Sequence, residues 1–128
     1  MRASINVTEH EQLIRHGYEA FNAREIETAL AGMHPDVDWP NAWEGGRVVG
    51  RAAVRDYWSR QFSAISSIVE PESFTPEPDG SMTVEVHQVV RDAHTGELLS
   101  DSVVRHRYRL RDGLIARMEV LEAERLVV

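Results

Sequence analysis

The sequence contains no cysteine, which removes disulfides, thiol nucleophiles and cysteine-based zinc sites together. It has no apolar run near the roughly 20 residues that a membrane-spanning helix needs. Its opening stretch, MRASINVTEH, has no apolar segment of signal-peptide length. A cytoplasmic protein without a membrane partner is expected. Positive charge is also scarce: 14 Lys and Arg face 21 Asp and Glu, for a formal net charge of −7. That balance repels a phosphate backbone, so no nucleic acid is expected as a partner. There is no P-loop and no Gly-x-Ser-x-Gly elbow. Gly45-Gly46-Arg47-Val48-Val49-Gly50 lacks the preceding buried strand and the spacing of a dinucleotide fingerprint. No cofactor is expected.

The chain has 128 residues, 42% hydrophobic and 27% charged, with no repeat, low-complexity tract or linker. This is the size and composition of one globular domain, spanning 1–128. Leu13, Ile14, Gly17, Tyr18 and Phe21 give a first helix one apolar face. Thr8 with Glu11 has the form of a capping box at its start. A second, short helix buries Ile26, Ala29, Leu30 and Met33 and stops at His34-Pro35, because the residue before proline avoids the helical region. Val37-Asp38-Trp39 reads as a short strand, and residues 40–46 are irregular. A third helix begins near Gly50 and carries Val54, Tyr57, Trp58, Gln61 and Phe62.

The period then changes to two. Strands are expected near Val69–Thr75, Met82–Arg91, Glu97–Arg111 and Leu114–Glu122, separated by glycine-containing turns. Helices followed by an antiparallel meander give an α+β class, with the helices covering one face of the sheet. Between Val103 and Arg111 the odd positions supply Arg105, Arg107, Arg109 and Arg111, and the even ones Val104, His106, Tyr108 and Leu110. Side chains of a strand alternate, so His106 and Tyr108 share the face opposite the arginines. A three-residue loop, Arg111-Asp112-Gly113, would pair Leu110 with Leu114 and bring Ala116, Met118 and Val120 to that face. Pairing Val90 with Leu98 adds Val84, Val86 and Gln88, and sets Arg91 against Glu97 and His87 against Asp101 on the outer face.

With this layout the chain resembles the nuclear transport factor 2-like superfamily, and within it the SnoaL-like (polyketide-cyclase-like) proteins. The residues carrying the likeness are Tyr18-Glu19-Ala20-Phe21-Asn22-Ala23-Arg24-Glu25-Ile26, His34-Pro35-Asp36-Val37-Asp38-Trp39, Gly50-Arg51-Ala52-Ala53-Val54 and Arg111-Asp112-Gly113-Leu114-Ile115. The resemblance implies a cone-shaped curved antiparallel sheet, covered by about three N-terminal helices and enclosing a pocket. It also implies frequent homodimerisation through the outer sheet face, but no single activity. Ketosteroid isomerase, a relative, uses an Asp base before a proline and an oxyanion hole of a Tyr and a protonated Asp. Matched on Pro40, Trp39 stands at the base position. Counted from Asn22, Gly17 stands where the tyrosine would be, with Tyr18 one residue away. His106 takes the place of the protonated Asp. By this reading the base and the tyrosine are both missing.

His106 is the candidate catalytic residue: burial beside Met118 and Val104 would keep its ring neutral and able to give or take a proton. The alternatives are a core histidine bonded to Gln88 or to a backbone carbonyl, and a pocket-lining residue without chemistry. Trp39, Trp43, Tyr57, Gln88, Tyr108 and Met118 are the candidate pocket residues, with Trp58 and Phe62 in the core. His34-x-Asp36-x-Asp38 has a metal-like spacing, but Asp36 suits a turn and alternation points Asp38 away from Trp39, so no metal is expected. His10-Glu11 with His16 misses the zinc-protease pattern, which needs a His where Ile14 stands. Val89, Leu99, Val103 and Leu121 share the outer face with the arginines, where interstrand charge pairing and a homodimer contact are expected. Two functions follow. One is a pocket protein that binds a small apolar molecule. The other is an enzyme of the isomerase, cyclase, dehydratase or hydrolase type, acting on a small apolar carbonyl or cyclic compound through His106.

Overall fold

The computed structural model describes residues 2–42, 44–121 and 124–125. Helices α1 (Arg2–Asn22) and α2 (Ile26–Ala31) are followed by strands β1 (Met33–Pro40) and β2 (Arg47–Val49) and by helix α3 (Arg51–Ala64). Strands β3 (Ile65–Pro76), β4 (Met82–Asp92), β5 (Leu98–Arg111), β6 (Leu114–Val120) and β7 (Glu124–Arg125) complete the order. The sheet runs β2-β1-β6-β5-β4-β3, with β7 on β5. The expected meander is present as β3 to β6. It is widened by β1, which pairs parallel to β6 and carries β2 on its other side. Helices laid over a curved, mixed sheet make this an α+β cone.

The apolar spacing of α1 buries Ile14 and Tyr18 and packs Leu13 and Phe21 against the same core. The helix starts at Arg2, so Thr8 and Glu11 lie within it and form no capping box; Glu11 instead pairs with Arg15 one turn on, at 2.8 Å. Its end is held in two ways. Arg24 adopts a left-handed φ of 63° and sends its guanidinium to the carbonyls of Phe21 and Ser67. The Asn22 amide donates to the Val69 carbonyl at 2.7 Å and accepts from the Val69 N–H at 2.9 Å. Asn22 thus occupies the open edge of β3 as a neighbouring strand would, satisfying backbone groups that an edge leaves unpaired. Met33, expected at the end of α2, begins β1 instead. The helix stops at Ala31, and Arg51 holds the Met33 carbonyl through Nε at 2.9 Å.

The β5–β6 hairpin differs from the expected three-residue loop. Arg111 pairs with Leu114 and Leu110 with Ile115, around a two-residue turn in which Asp112 and Gly113 both have positive φ, the signature of a type I′ turn. That register alone would put Met118 on the arginine side. A bulge corrects it: Ala116 is the extra residue, and Arg109 pairs with Arg117, Tyr108 with Met118 and His106 with Val120. Hydrophobic matching therefore decides the facing of β6, but through a bulge and not through the loop. Ile115, before the bulge, is buried, whereas Ala116 is only half-buried.

A second bulge lies in the β4–β5 pair. Val90 opposes Ser100, not Leu98, while Val84, Val86 and Gln88 keep their even-numbered partners and the inner face is unchanged. His87 reaches Asp101 diagonally at 2.7 Å, but Arg91 bonds the Gly96 carbonyl in place of Glu97. On the outer face Arg109 pairs with Asp79 at 3.2 Å and Arg111 with Asp36 at 3.8 Å. Arg105 Nε and Arg107 Nε are buried without an acceptor among the described residues.

The Asn22–Val69 clamp fixes where α1 rests on the sheet. Asn22→Ala leaves both Val69 backbone groups without their partner, at an expected cost of about 2 kcal/mol. Urea unfolding should show this as a lower midpoint with an unchanged slope.

Candidate functional site

Between the helices and the inner sheet face lies a cavity of about 130 Å³. Its floor is Gln88 of β4, His106 and Tyr108 of β5 and Met118 and Val120 of β6; α1 closes it with Ile14, Gly17, Tyr18 and Phe21. Helix α3 adds Tyr57, Trp58 and Gln61, and Trp39, Pro40 and Ala42 stand where β1 leaves the sheet. Aromatic rings line much of the wall. Trp39 stands edge-on to Trp58 with centroids 5.6 Å apart, and Phe21 meets Trp58 at 5.3 Å, the offset geometries that ring quadrupoles favour. No Asp, Glu, Lys or Arg is among these lining residues.

Three polar groups converge at one place. The Tyr18 hydroxyl lies 2.8 Å from His106 Nδ1, and the two rings are nearly parallel with centroids 6.0 Å apart. Tyr108 stands edge-on to both rings. All three residues are buried. His106 is flanked in the sheet by Val84 and Val120, and burial among such neighbours holds its imidazolium down to about 4. Burial likewise pushes the Tyr18 and Tyr108 phenols up, and Tyr108 raises Tyr18 further through charge and a hydrogen bond. At neutral pH the cluster is uncharged.

Of the sequence-derived candidates, His106, Trp39, Tyr57, Gln88, Tyr108 and Met118 all line the cavity. Trp43 lies outside the described residues. Trp58, assigned to the core, is both buried and part of the wall. His106 does not bond Gln88, whose amide goes to Ser67 Oγ at 3.1 Å. Its partner is Tyr18, and this corrects the expectation that α1 brings no tyrosine to the site. Helical spacing carries the signal: Tyr18 lies one turn before Asn22, on the face that carries Ile14 and Phe21, which a linear match of Gly17 does not capture. Asp38 does not face the cavity chemistry, since its carboxylate is taken by Arg47 and Arg117. His34 accepts from the Asp36 N–H at 3.0 Å.

Polar contacts also join the residues that follow β1 to α3. The Asn41 side chain donates to the Glu44 carboxylate and accepts from the Glu44 N–H, and Glu44 forms a two-point ion pair with Arg60 of α3. Gly45 and Gly46 take the positive φ values, 96° and 80°, that close this turn.

The depressed titration of His106 gives stability a defined pH dependence. The unfolded chain, with an ordinary imidazole near 6.5, binds this proton before the folded one does near 4. The group's contribution is intact above pH 6.5 and falls as pH drops through that window, by up to about 3 kcal/mol. Chemical denaturation from pH 7 to 4 should show a shallower loss of stability in His106→Gln than in the wild type; parallel curves would place the imidazole in a solvated setting.

Comparison with solved structures returns the same architecture. The structure of TerC co-crystallised with polyporic acid superposes with a TM-score of 0.76 at 26% identity, covering 88% of this chain and 90% of that one. A polyketide-cyclase-like protein of Xanthomonas campestris pv. campestris gives 0.73 at 25% identity over 90% of both chains. An LEH-like epoxide hydrolase of M. tuberculosis gives 0.74 at 17% identity, over 88% of this chain and 81% of that one, a likeness of fold alone. Among curated proteins, none matches the sequence. The SnoaL-like domain model matches residues 14–118, from Ile14 of α1 to the Met118 that the Ala116 bulge turns inward, and the chain belongs to that family.

Proposed function

We propose that this protein binds a small, uncharged, largely apolar molecule that presents a carbonyl or hydroxyl oxygen to Tyr18, His106 and Tyr108. The observation that carries this reading is the character of the cavity wall: aromatic and aliphatic on most sides, without an ionised side chain, and polar chiefly where three neutral groups meet. A charged ligand would lose its hydration there and gain no counter-ion. An oxygen that accepts one or two hydrogen bonds satisfies donors that are otherwise costly to bury. TerC, whose co-crystal holds polyporic acid, supports a small organic ligand.

A catalytic use of the same site has one observation in its favour, the direct Tyr18–His106 contact. All 14 basic residues of the chain are arginines, so Schiff-base chemistry through lysine is unavailable, as is thiol chemistry. Matched on Pro40 in the sequence, Trp39 takes the position of the isomerase-type carboxylate base. Acid–base work therefore falls to His106 and the tyrosines.

The binding reading is tested by thermal stabilisation and calorimetry, using matched series of cyclic ketones, phenols and carboxylates of equal size. Neutral oxygen-bearing compounds should stabilise the protein and their carboxylate counterparts should not. Tyr18→Phe should weaken the ketones about tenfold, the worth of one hydrogen bond. Equal binding of the carboxylates would overturn the assignment.

A further inference from the structure

We propose that Gln61 is a specificity-determining residue of the cavity and selects a ligand that carries a neutral carboxamide. This rests on the reading of the cavity as a site for a small neutral molecule and names a second functional group of that molecule. Gln61 lies in the last turn of α3, is 9% exposed and lines the cavity. Tyr18 and His106 bond each other, and Gln88 bonds Ser67. The Gln61 side chain has no hydrogen-bond partner among the described residues. Its amide atoms are not sealed in by packing as Arg105 Nε and Arg107 Nε are, so they border open space. For this buried residue that space is the cavity.

Helical spacing brings Gln61 there. Val54, Tyr57, Trp58 and Gln61 recur at i, i+3, i+4 and i+7 and form the buried face of α3. An apolar residue would ordinarily fill such a position, as Phe62 does beside it. A primary amide buried without a partner lowers stability, and native structures hold few of them. The folding of the chain gives no reason for a polar group at this point. Recognition of a ligand does.

The place of Gln61 relative to the Tyr18–His106–Tyr108 cluster sets the order of groups along the ligand. Tyr108 meets Trp39 with ring centroids 6.4 Å apart, and Trp39 meets Trp58 at 5.6 Å. Gln61 follows Trp58 by three residues on the same helix face. Aromatic rings therefore separate two polar points, one formed by α1 and β5 and the other by α3. A ring with an oxygen at one end and a carboxamide at the other has the matching order.

The carboxamide follows from what a glutamine offers: a carbonyl acceptor beside an N–H donor. A ketone or hydroxyl oxygen is a single atom and cannot meet both in straight hydrogen bonds. A carboxylic acid, ionised at neutral pH, would turn a negative oxygen towards the Gln61 carbonyl and find no counter-ion in the wall. An ammonium would likewise bring a charge that no lining side chain balances. A carboxamide sets its own acceptor and donor side by side, pairs with Gln61 at two points and stays neutral. Such a site disfavours the analogue that lacks the donor, because the Gln61 carbonyl is then buried unpaired.

The probes are 4-hydroxybenzamide and 4-hydroxyacetophenone. They share the ring and the phenol, and one has an NH₂ where the other has a methyl group. Calorimetry near neutral pH, where both phenols are largely protonated, measures their binding. The wild type should hold the amide about tenfold more tightly than the ketone, the worth of one further hydrogen bond. Gln61→Met, of similar length and apolar, should abolish this preference, leaving the ketone bound as tightly as the amide or more so. Urea unfolding of the ligand-free variant should match or exceed the wild type, since an unpaired buried amide is exchanged for an apolar chain. A clearly lower midpoint would mean that the amide is engaged within the fold, and would overturn the assignment. Binding of the ketone by the wild type without a preference for the amide, or a preference retained in Gln61→Met, also overturns it and leaves the pocket reading standing. Absence of binding by either probe, with no stabilisation by the neutral ketones, overturns the pocket reading and the role of Gln61 with it.

Discussion

Strand β5 is the constraint on which the site depends, because its alternation sends Arg105, Arg107 and Arg109 to one face and Val104, His106 and Tyr108 to the other. It lies between β4 and β6, so both neighbours must match its parity. On the β4 side the match holds although a bulge shifts the outer end of the pair. On the β6 side the tight turn imposes the wrong parity and the bulge at Ala116 restores it. The cost of the alternative is large: without the bulge Met118 would face solvent and Arg117 would lie buried beside Tyr108.

A second contact converts that face into a site. The Asn22 side chain grips the Val69 peptide at the edge of β3, which sets the height of α1 above the sheet. Tyr18, one turn earlier, then arrives at His106. The hydrogen bond satisfies a hydroxyl and a ring nitrogen that the apolar surroundings could not. The same surroundings keep all three polar groups neutral. Burial and stability are therefore linked, since the surroundings that keep His106 neutral also make the fold sensitive to acid.

The outer face follows a different logic. Its arginines are partly paired, Arg109 with Asp79 and Arg117 with Asp38 and Glu119, and they share that face with the exposed side chains of Leu98 and Leu99. Charge is spent there on cross-strand and turn contacts, so the cavity side is left free of it. That segregation gives a chain with abundant charged residues a pocket without any.

Much of this was legible in the residues alone. The arginine alternation fixed the facing of His106 and Tyr108, because strand side chains have a period of two whatever surrounds them. Helical spacing placed Tyr57 and Trp58, and the order of elements gave the α+β class. Other features depend on contacts between segments distant in the chain. The parallel pairing of β1 with β6 joins residues about 80 positions apart, and no local pattern encodes it. The bulge at Ala116 is a compromise between a turn's preferred twist and the core's demand for Met118. The approach of Tyr18 to His106 spans 88 positions and is set by an asparagine whose partner is a backbone edge. Local periodicity determined which residues face inward; only the packing of α1 on the sheet decided which of them meet.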